Sequence, residues 1–468
     1  MNAVFRPSAR NPLSPRPLLA EARQNLILAA PLIAAQLSFV GMHAIDTVMA
    51  GRLGETALAA VAVGANAWFL SFVVFMGLFM SVSPIVAQRT GAGRFAAETG
   101  DFLRNTLLLA VMLGLVWTAV VNLLAAPVIG VLGLSDETTE LAEAYLRTIA
   151  WGATPLCLCF ALRNGCEGLG VTRVPLVAGV SALVVNALVN VPLIYGAFGW
   201  PGLGAVGTAW GTVIAVCAML AIYALSFRFE PTLRSLRLYA RRPRWSGELF
   251  EVFRIGAPIA LTVVAEAWLF NLGGLLMAHF GDSVVAAHQI AINFASMAFM
   301  VPLSIGLATT VRVGQNVGAG DNAAAARSGY AGIGLGAAFA LLSAGVMLLA
   351  PGPIVGLYTQ VPEVAELAVR FLWLAALFQI FDCLQATANG ALRGFKDTRV
   401  PMIVTLVAYW LVGLPTAALL TRATDVGPLG VWIGFIAGLF VAALGLVLRY
   451  RRRSRRPDAT LGGSVLMI

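Results

Sequence analysis

The sequence contains one lysine, Lys396, in 468 residues. Phe395 precedes it, so the GxxxxGK[ST] loop that cradles nucleotide phosphates is absent, and ATP hydrolysis by that route is excluded. The three histidines, His43, His279 and His288, are scattered and never form HExxH, so they make no metal set. Cysteine is scarce too. Cys157, Cys159, Cys166, Cys217 and Cys383 are odd in number and lack framework spacing, which predicts free, buried thiols. Cys157 and Cys159 are two residues apart and point to different faces of a helix, which argues against zinc. No GxSxG or EF-hand loop occurs, and nothing marks an enzyme. Charged residues make up only 11%, against roughly 25% in soluble domains. Hydrophobic residues reach 59% and the mean hydropathy is +0.85, which excludes a soluble fold.

What is present in their place is a series of apolar runs. Each is long enough to cross a hydrocarbon core of ~30 Å. They predict an all-α integral membrane protein with twelve transmembrane helices, near 26–50, 57–86, 104–133, 142–162, 174–197, 203–227, 250–277, 284–311, 328–351, 362–392, 400–421 and 427–448. The net charge of +9 fits the membrane better than nucleic acid, because the basic residues sit in loops and tails beside these runs. About 27 of the 31 fall on the side of the N-terminus, the even-numbered connections and the C-terminus; Arg52, Arg147, Arg370 and Arg422 fall opposite. That imbalance puts both termini in the cytoplasm. Residues 1–24, rich in Arg and Pro with no apolar signal core, are expected to be a disordered cytoplasmic leader. Residues 450–468 are expected to be a basic, disordered cytoplasmic tail.

The one long polar break in mid-chain, 228–249, divides the spans into an N-lobe, 25–227, and a C-lobe, 250–449. The lobes repeat each other. AP at 30–31 matches AP at 257–258, and QRTGAG at 88–93 matches QNVGAG at 315–320, both shifted by 227. Asn66 and Asn293 obey the same shift, and GLGVTRVP at 168–175 matches GFKDTRVP at 394–401 with a shift of 226. Six spans per copy make the repeat parallel, related by a pseudo-two-fold axis along the membrane normal. Transporters use this plan for two bundles that rock about a central site.

The copies differ in their acids. Asp46 aligns with Gly273, Glu266 with Phe39 and Asp382 with Leu156. A carboxylate in a membrane span costs roughly 2.5–3.5 kcal/mol on insertion scales, so these three point to an ion or proton pathway. Asn186 and Asn190 lie one turn apart on the fifth span, and Thr208 opens the sixth. Carboxylate, amide and hydroxyl oxygens are hard ligands suited to sodium; the amides serve equally well as helix–helix hydrogen bonds. The second span of each copy is rich in Met and Phe, at 69–80 and 294–302. Such a wall can repack around varied apolar guests or simply fill a core. Phe75, Met76, Asn293, Met297 and Met300, with His43 and Phe378, are the expected lining of a substrate cavity.

Taken together, IDTVMAGRLG at the end of helix 1, the paired QxxGAG loops, Glu266 and FDCLQATANGALRGFKDTRVP resemble the multidrug and toxic compound extrusion (MATE) family, in its NorM-like bacterial branch. The resemblance implies two six-helix bundles forming a V around a central cavity, in the bacterial inner membrane. It implies export of cationic drugs or dyes in exchange for sodium or protons, with no other cofactor. It also implies that Asp46, Asn186, Asn190 and Thr208 form an N-lobe coupling site, with sodium held by Asp46, Asn186 and Thr208, and that Glu266 and Asp382 couple cations in the C-lobe. Phe378 stands where some relatives carry tyrosine, which removes an oxygen from that second site. The partners expected are the small-molecule substrate and the lipid bilayer, not nucleic acid, with the monomer as the working unit. The alternative is a flippase for a lipid-linked sugar precursor. That substrate is anionic and calls for basic groups deep in the spans, where only acids are found.

Overall fold

The computed structural model describes residues 15–93, 97–197, 199, 201–240, 247–423 and 425–455. Among them, twelve helices are long and apolar enough to cross a membrane. They are α1 Pro17–Gly51, α2 Glu55–Gly91, α3 Glu98–Gly130, α4 Asp136–Gly168, α5 Arg173–Tyr195, α6 Ala205–Phe229, α7 Glu248–Phe280, α8 Asp282–Gly318, α9 Asn322–Leu349, α10 Pro362–Gly394, α11 Arg399–Arg422 and α12 Leu429–Ser454. Each overlaps one of the twelve apolar runs, and the protein is a multi-pass, all-α membrane protein.

The helix ends need correction. The leader was expected to be irregular to residue 24, yet the first helix already begins at Pro15. Proline is tolerated in a first turn, and Leu18, Leu19, Ala20, Glu21, Ala22, Arg23 and Gln24 are good helix formers. Apolar run length is blind to a helical extension that Glu21, Arg23, Gln24 and Asn25 separate from the run. At the other end the basic stretch Arg449–Arg453 continues α12 rather than starting a tail. Residues 1–14 and 456–468 lie outside the described residues. The mid-chain break holds a short helix, Pro231–Arg234, capped by Glu230, whose carboxylate accepts from the Leu233 amide at 2.8 Å.

The chain groups into two compact units. One contains Leu28–Thr90 and Arg94–Trp268; the other contains Leu269 onward with Gly91–Gly93 and the described residues up to Ile27. Helices α1 and α7 therefore each run from one unit into the other. In the first unit, α5 packs on α6, and Trp68, Phe72, Phe79, Trp117 and Phe160 fill the core. Trp117 is sandwiched between Trp68 and Phe75, at centroid distances of 4.3 and 4.5 Å. In the second unit, α8 and α10 approach backbone to backbone: a Cβ on Gly390 would lie 2.2 Å from the Gly306 carbonyl oxygen. Small residues drive such contacts where apolar burial between helices offers no gain over lipid. Helix α11 carries a π-helical segment, Val407–Gly413.

Two ion pairs carry the internal repeat into the packing. Glu21 binds Arg312 in the second unit, and Glu248 binds Arg89 in the first. The two glutamates are 227 residues apart, the shift of the repeat. Each stands at the start of the first helix of its copy, and each pairs with the second helix of the other copy.

Candidate functional site

Asp46 lies in the apolar span α1 and is 4% exposed. Three side chains satisfy it. Asn190 Nδ2 donates to Oδ1 at 2.6 Å, Asn186 Nδ2 donates to the same oxygen at 3.2 Å, and Thr212 Oγ1 donates to Oδ2 at 2.8 Å. Asn186 and Asn190 are one turn apart, so both project from one face of α5, and both are fully buried. Gly211 makes room for the second amide, since a Cβ there would fall 1.7 Å from Asn190 Oδ1. That oxygen is buried and has no hydrogen-bond partner. The cluster thus combines a carboxylate with amide and hydroxyl oxygens in an apolar surround. A pocket reaches it, lined by His43, Phe39, Trp68, Phe72 and Thr212, and the centre of a water can move through about 30 Å³ of it. That is room for one or two waters or a small cation.

The structure brings Asp46, Asn186 and Asn190 together. It places Thr208 elsewhere: its hydroxyl is spent on the Ala205 carbonyl of its own helix at 2.7 Å. Thr212, one turn further along α6, makes the contact expected of Thr208. Both threonines occur in GTAWGT, and the sequence offered no signal to choose between them.

The second half has no counterpart of this cluster. Pro192 and Pro415, Gly207 and Gly430, and Gly211 and Gly434 put α5 and α6 in register with α11 and α12 at a shift of 223. Asn186, Asn190 and Thr212 then correspond to Tyr409, Gly413 and Phe435, while Asp46 keeps its match to Gly273 at the shift of 227. Phe435 presses on α7 where Gly273 stands, so that a Cβ would meet its ring at 2.1 Å. A polar site in one half is a glycine–aromatic contact in the other.

Glu266 is half-buried on the part of α7 that belongs to the first unit, and Asp382 is 3% exposed in the second. Asp382 sits in a buried polar stretch of α10 that includes Gln379, Gln385 and Thr387. Of the expected cavity residues, His43 lines the pocket beside Asp46. Phe75 stacks on Trp117, and Met76 packs against the same core. Asn293 accepts from Tyr358 at 3.1 Å, Met297 is exposed and Met300 is half-buried. Phe378 is a correction: it is 2% exposed, packed against Phe270, Trp432 and Phe435, and fills the core of its unit rather than a cavity wall. His288 is likewise a core residue, set edge-on to Phe371 and Trp432. All five cysteines are free, and Cys217 is the exposed exception to their expected burial.

A family model described as MatE matches residues 31–191 and again 258–419, two copies whose starts are 227 residues apart. The chain belongs to the MATE family. Members of this family are transporters, not enzymes. The chain is 39% identical over 446 residues to the multidrug resistance protein PmpM of Pseudomonas aeruginosa, covering 93% of this chain and 92% of that one. It is 37% identical over 444 residues to a probable multidrug resistance protein NorM of Xanthomonas axonopodis pv. citri, covering 94% and 96%. The fold matches that of a multidrug resistance MATE family transporter of the MOP superfamily solved in an outward-facing conformation. The TM-score is 0.84 at 21% identity, covering 93% of this chain and 96% of that one.

Proposed function

We propose that this MATE protein exports organic, mostly cationic compounds by antiport with sodium or protons, and that Asp46 is the site at which the two flows compete. The observation that carries this reading is the Asp46 cluster itself: a buried membrane acid, three side-chain donors on it, and a pocket that reaches it. An acid buried at this cost points to charge that must be bound and released. In the proposed cycle, a lipophilic cation enters from the cytoplasmic side and is held by apolar and acidic groups. The two lobes, 25–227 and 250–449, then rock. An external cation then takes the carboxylate, and the drug leaves.

The donor set fits either coupling ion. Asp46, Asn186, Asn190 and Thr212 offer hard oxygens for sodium, and the partnerless Asn190 Oδ1 is one that a cation would use. For a proton, the Thr212 hydroxyl can turn from donor to acceptor when Asp46 takes up hydrogen. Glu266 and Asp382 are proposed as further coupling acids. The names of the relatives, multidrug resistance proteins of bacteria, support this substrate class and an inner-membrane location. The excess of arginine in one set of connections supports cytoplasmic termini.

The test is dye uptake into inverted membrane vesicles, wild type beside Asp46→Asn. A sodium gradient at clamped pH is imposed first, then a proton gradient without sodium. Uptake by wild type under one gradient, absent in Asp46→Asn, is the expected result. No uptake under either gradient, with well-inserted protein, would turn the reading toward the flippase.

A further inference from the structure

The mid-chain break is not a loose tether. Leu233, Leu236 and Leu238 are buried anchors, at 0%, 1% and 3% exposed. Gly100 of α3 lies so close that a Cβ would sit 2.1 Å from the Leu236 carbonyl oxygen. Arg104 of α3, itself buried, clamps the turn by donating Nε to the Leu238 carbonyl and Nη2 to the Arg237 carbonyl, both at 3.0 Å; Asp101 holds the arginine in place. Arg237 is held at φ 48, a left-handed backbone that a non-glycine residue adopts only where its surroundings impose it.

The result is a fixed, open pocket of about 690 Å³, lined by Arg228, Arg234, Arg237, Ser235 and Tyr239. The three guanidiniums are exposed, and no acid among the described residues pairs with them. The pocket sits where the apolar span α6 ends, and Phe229 and Tyr239 beside it are 69% and 58% exposed, with the Tyr239 hydroxyl donating to the Ala224 carbonyl at 2.8 Å. Exposed aromatics at the end of a membrane span serve as interfacial anchors. Arginine forks match phosphate oxygens, and an apolar helix flank beside them takes acyl chains.

The geometry points to a binding site for the phosphate headgroup of an anionic phospholipid, held by Arg228, Arg234 and Arg237. It stands independently of the transport reading. A flexible basic loop would attract such lipids only diffusely. Here the Arg104 clamp fixes the backbone of Arg237 and Leu238 next to the short helix that carries Arg234, so the three arginines are kept around one pocket and the site favours a headgroup in that pocket over a diffuse charge cloud.

Native mass spectrometry of the full-length protein tests this, after incubation with phosphatidylglycerol or phosphatidylcholine. Wild type is expected to retain phosphatidylglycerol preferentially. Loss of roughly fivefold in affinity per arginine, on the order of a hundredfold for R228Q/R234Q/R237Q, is expected. R451Q/R452Q/R455Q removes the same charge from the end of α12 and is expected to bind as wild type does. Inorganic phosphate at millimolar concentration is expected not to displace the lipid. Equal retention by the pocket variant, equal loss in the α12 variant, or displacement by phosphate alone would each overturn the site. A melting curve of each variant checks folding. If the triple glutamine variant fails that check, R234Q alone supplies the comparison, with a roughly fivefold loss expected and none overturning the proposal.

Discussion

Asn190 reaches the carboxylate of Asp46 at 2.6 Å across 144 residues of sequence, the shortest of the three contacts that hold the acid. Hydrogen bonds to a charged group contribute about 1.5–3 kcal/mol. Asn190→Ala is therefore expected to shift the cation or proton concentration for half-maximal drug uptake by about 10- to 100-fold. An unchanged midpoint would show that the amide only packs helix against helix.

The two threonines of α6 give a sharper contrast. Thr212→Val removes a donor from Asp46, and Thr208→Val removes only a bond to its own helix. The first is expected to shift the coupling midpoint about tenfold or more. The second is expected to leave it in place. Equal effects would mean that α6 turns between states and presents Thr208 in another part of the cycle.

Gly211→Ala attacks the same contact from behind. The new methyl would overlap Asn190 Oδ1 at 1.7 Å, so the amide must swing away from Asp46. Its uptake kinetics are expected to match those of Asn190→Ala, and the double variant is expected to be no worse than either alone. Additive losses would indicate that the glycine serves backbone packing in its own right.

How much of this was legible depended on length scale. The twelve spans follow from apolar runs, because lipid forces every backbone group into a helix and demands a minimum length. The pair Asn186 and Asn190 was visible because spacing within one helix fixes a shared face. Thr212 was not, because choosing it over Thr208 depends on how α6 is set against α1, and no local pattern carries that. The helical start at Pro15 escaped because its helix formers, among them Leu18, Leu19 and Ala20, are set off from the apolar run by Glu21, Arg23, Gln24 and Asn25. Phe378 was misplaced because an aromatic on an apolar span reads alike whether it faces a core or a cavity.

Glu21 and Arg312 form a bidentate pair, each about 17% exposed, and Ser328 donates to the same carboxylate at 2.7 Å. Glu366 and Arg370 are also paired but lie open to water. Exposed pairs contribute about 0–1 kcal/mol, while partly buried, hydrogen-bonded ones contribute more. Glu21→Gln is expected to lower the melting temperature by several degrees, and Glu366→Gln to leave it unchanged. Matching shifts would remove the Glu21 cluster as a distinctive stabilising contact.

The two QxxGAG motifs meet at Gly91. A Cβ on Gly91 would lie 1.9 Å from the Gln315 carbonyl oxygen, which is backbone and cannot turn aside. Gly93, two residues on, is needed for a different reason: its φ is +73 and nothing lies within 4 Å of a Cβ there. Asparagine tolerates the left-handed conformation, so Gly93→Asn is expected to fold and melt close to wild type. Gly91→Ala keeps an ordinary helical backbone and adds one methyl, yet is expected to melt well below wild type, because the ends of α2 and α8 must part to admit it. If Gly91→Ala proves silent while Gly93→Asn is destabilised, the motif serves turn geometry and not the approach of the two copies.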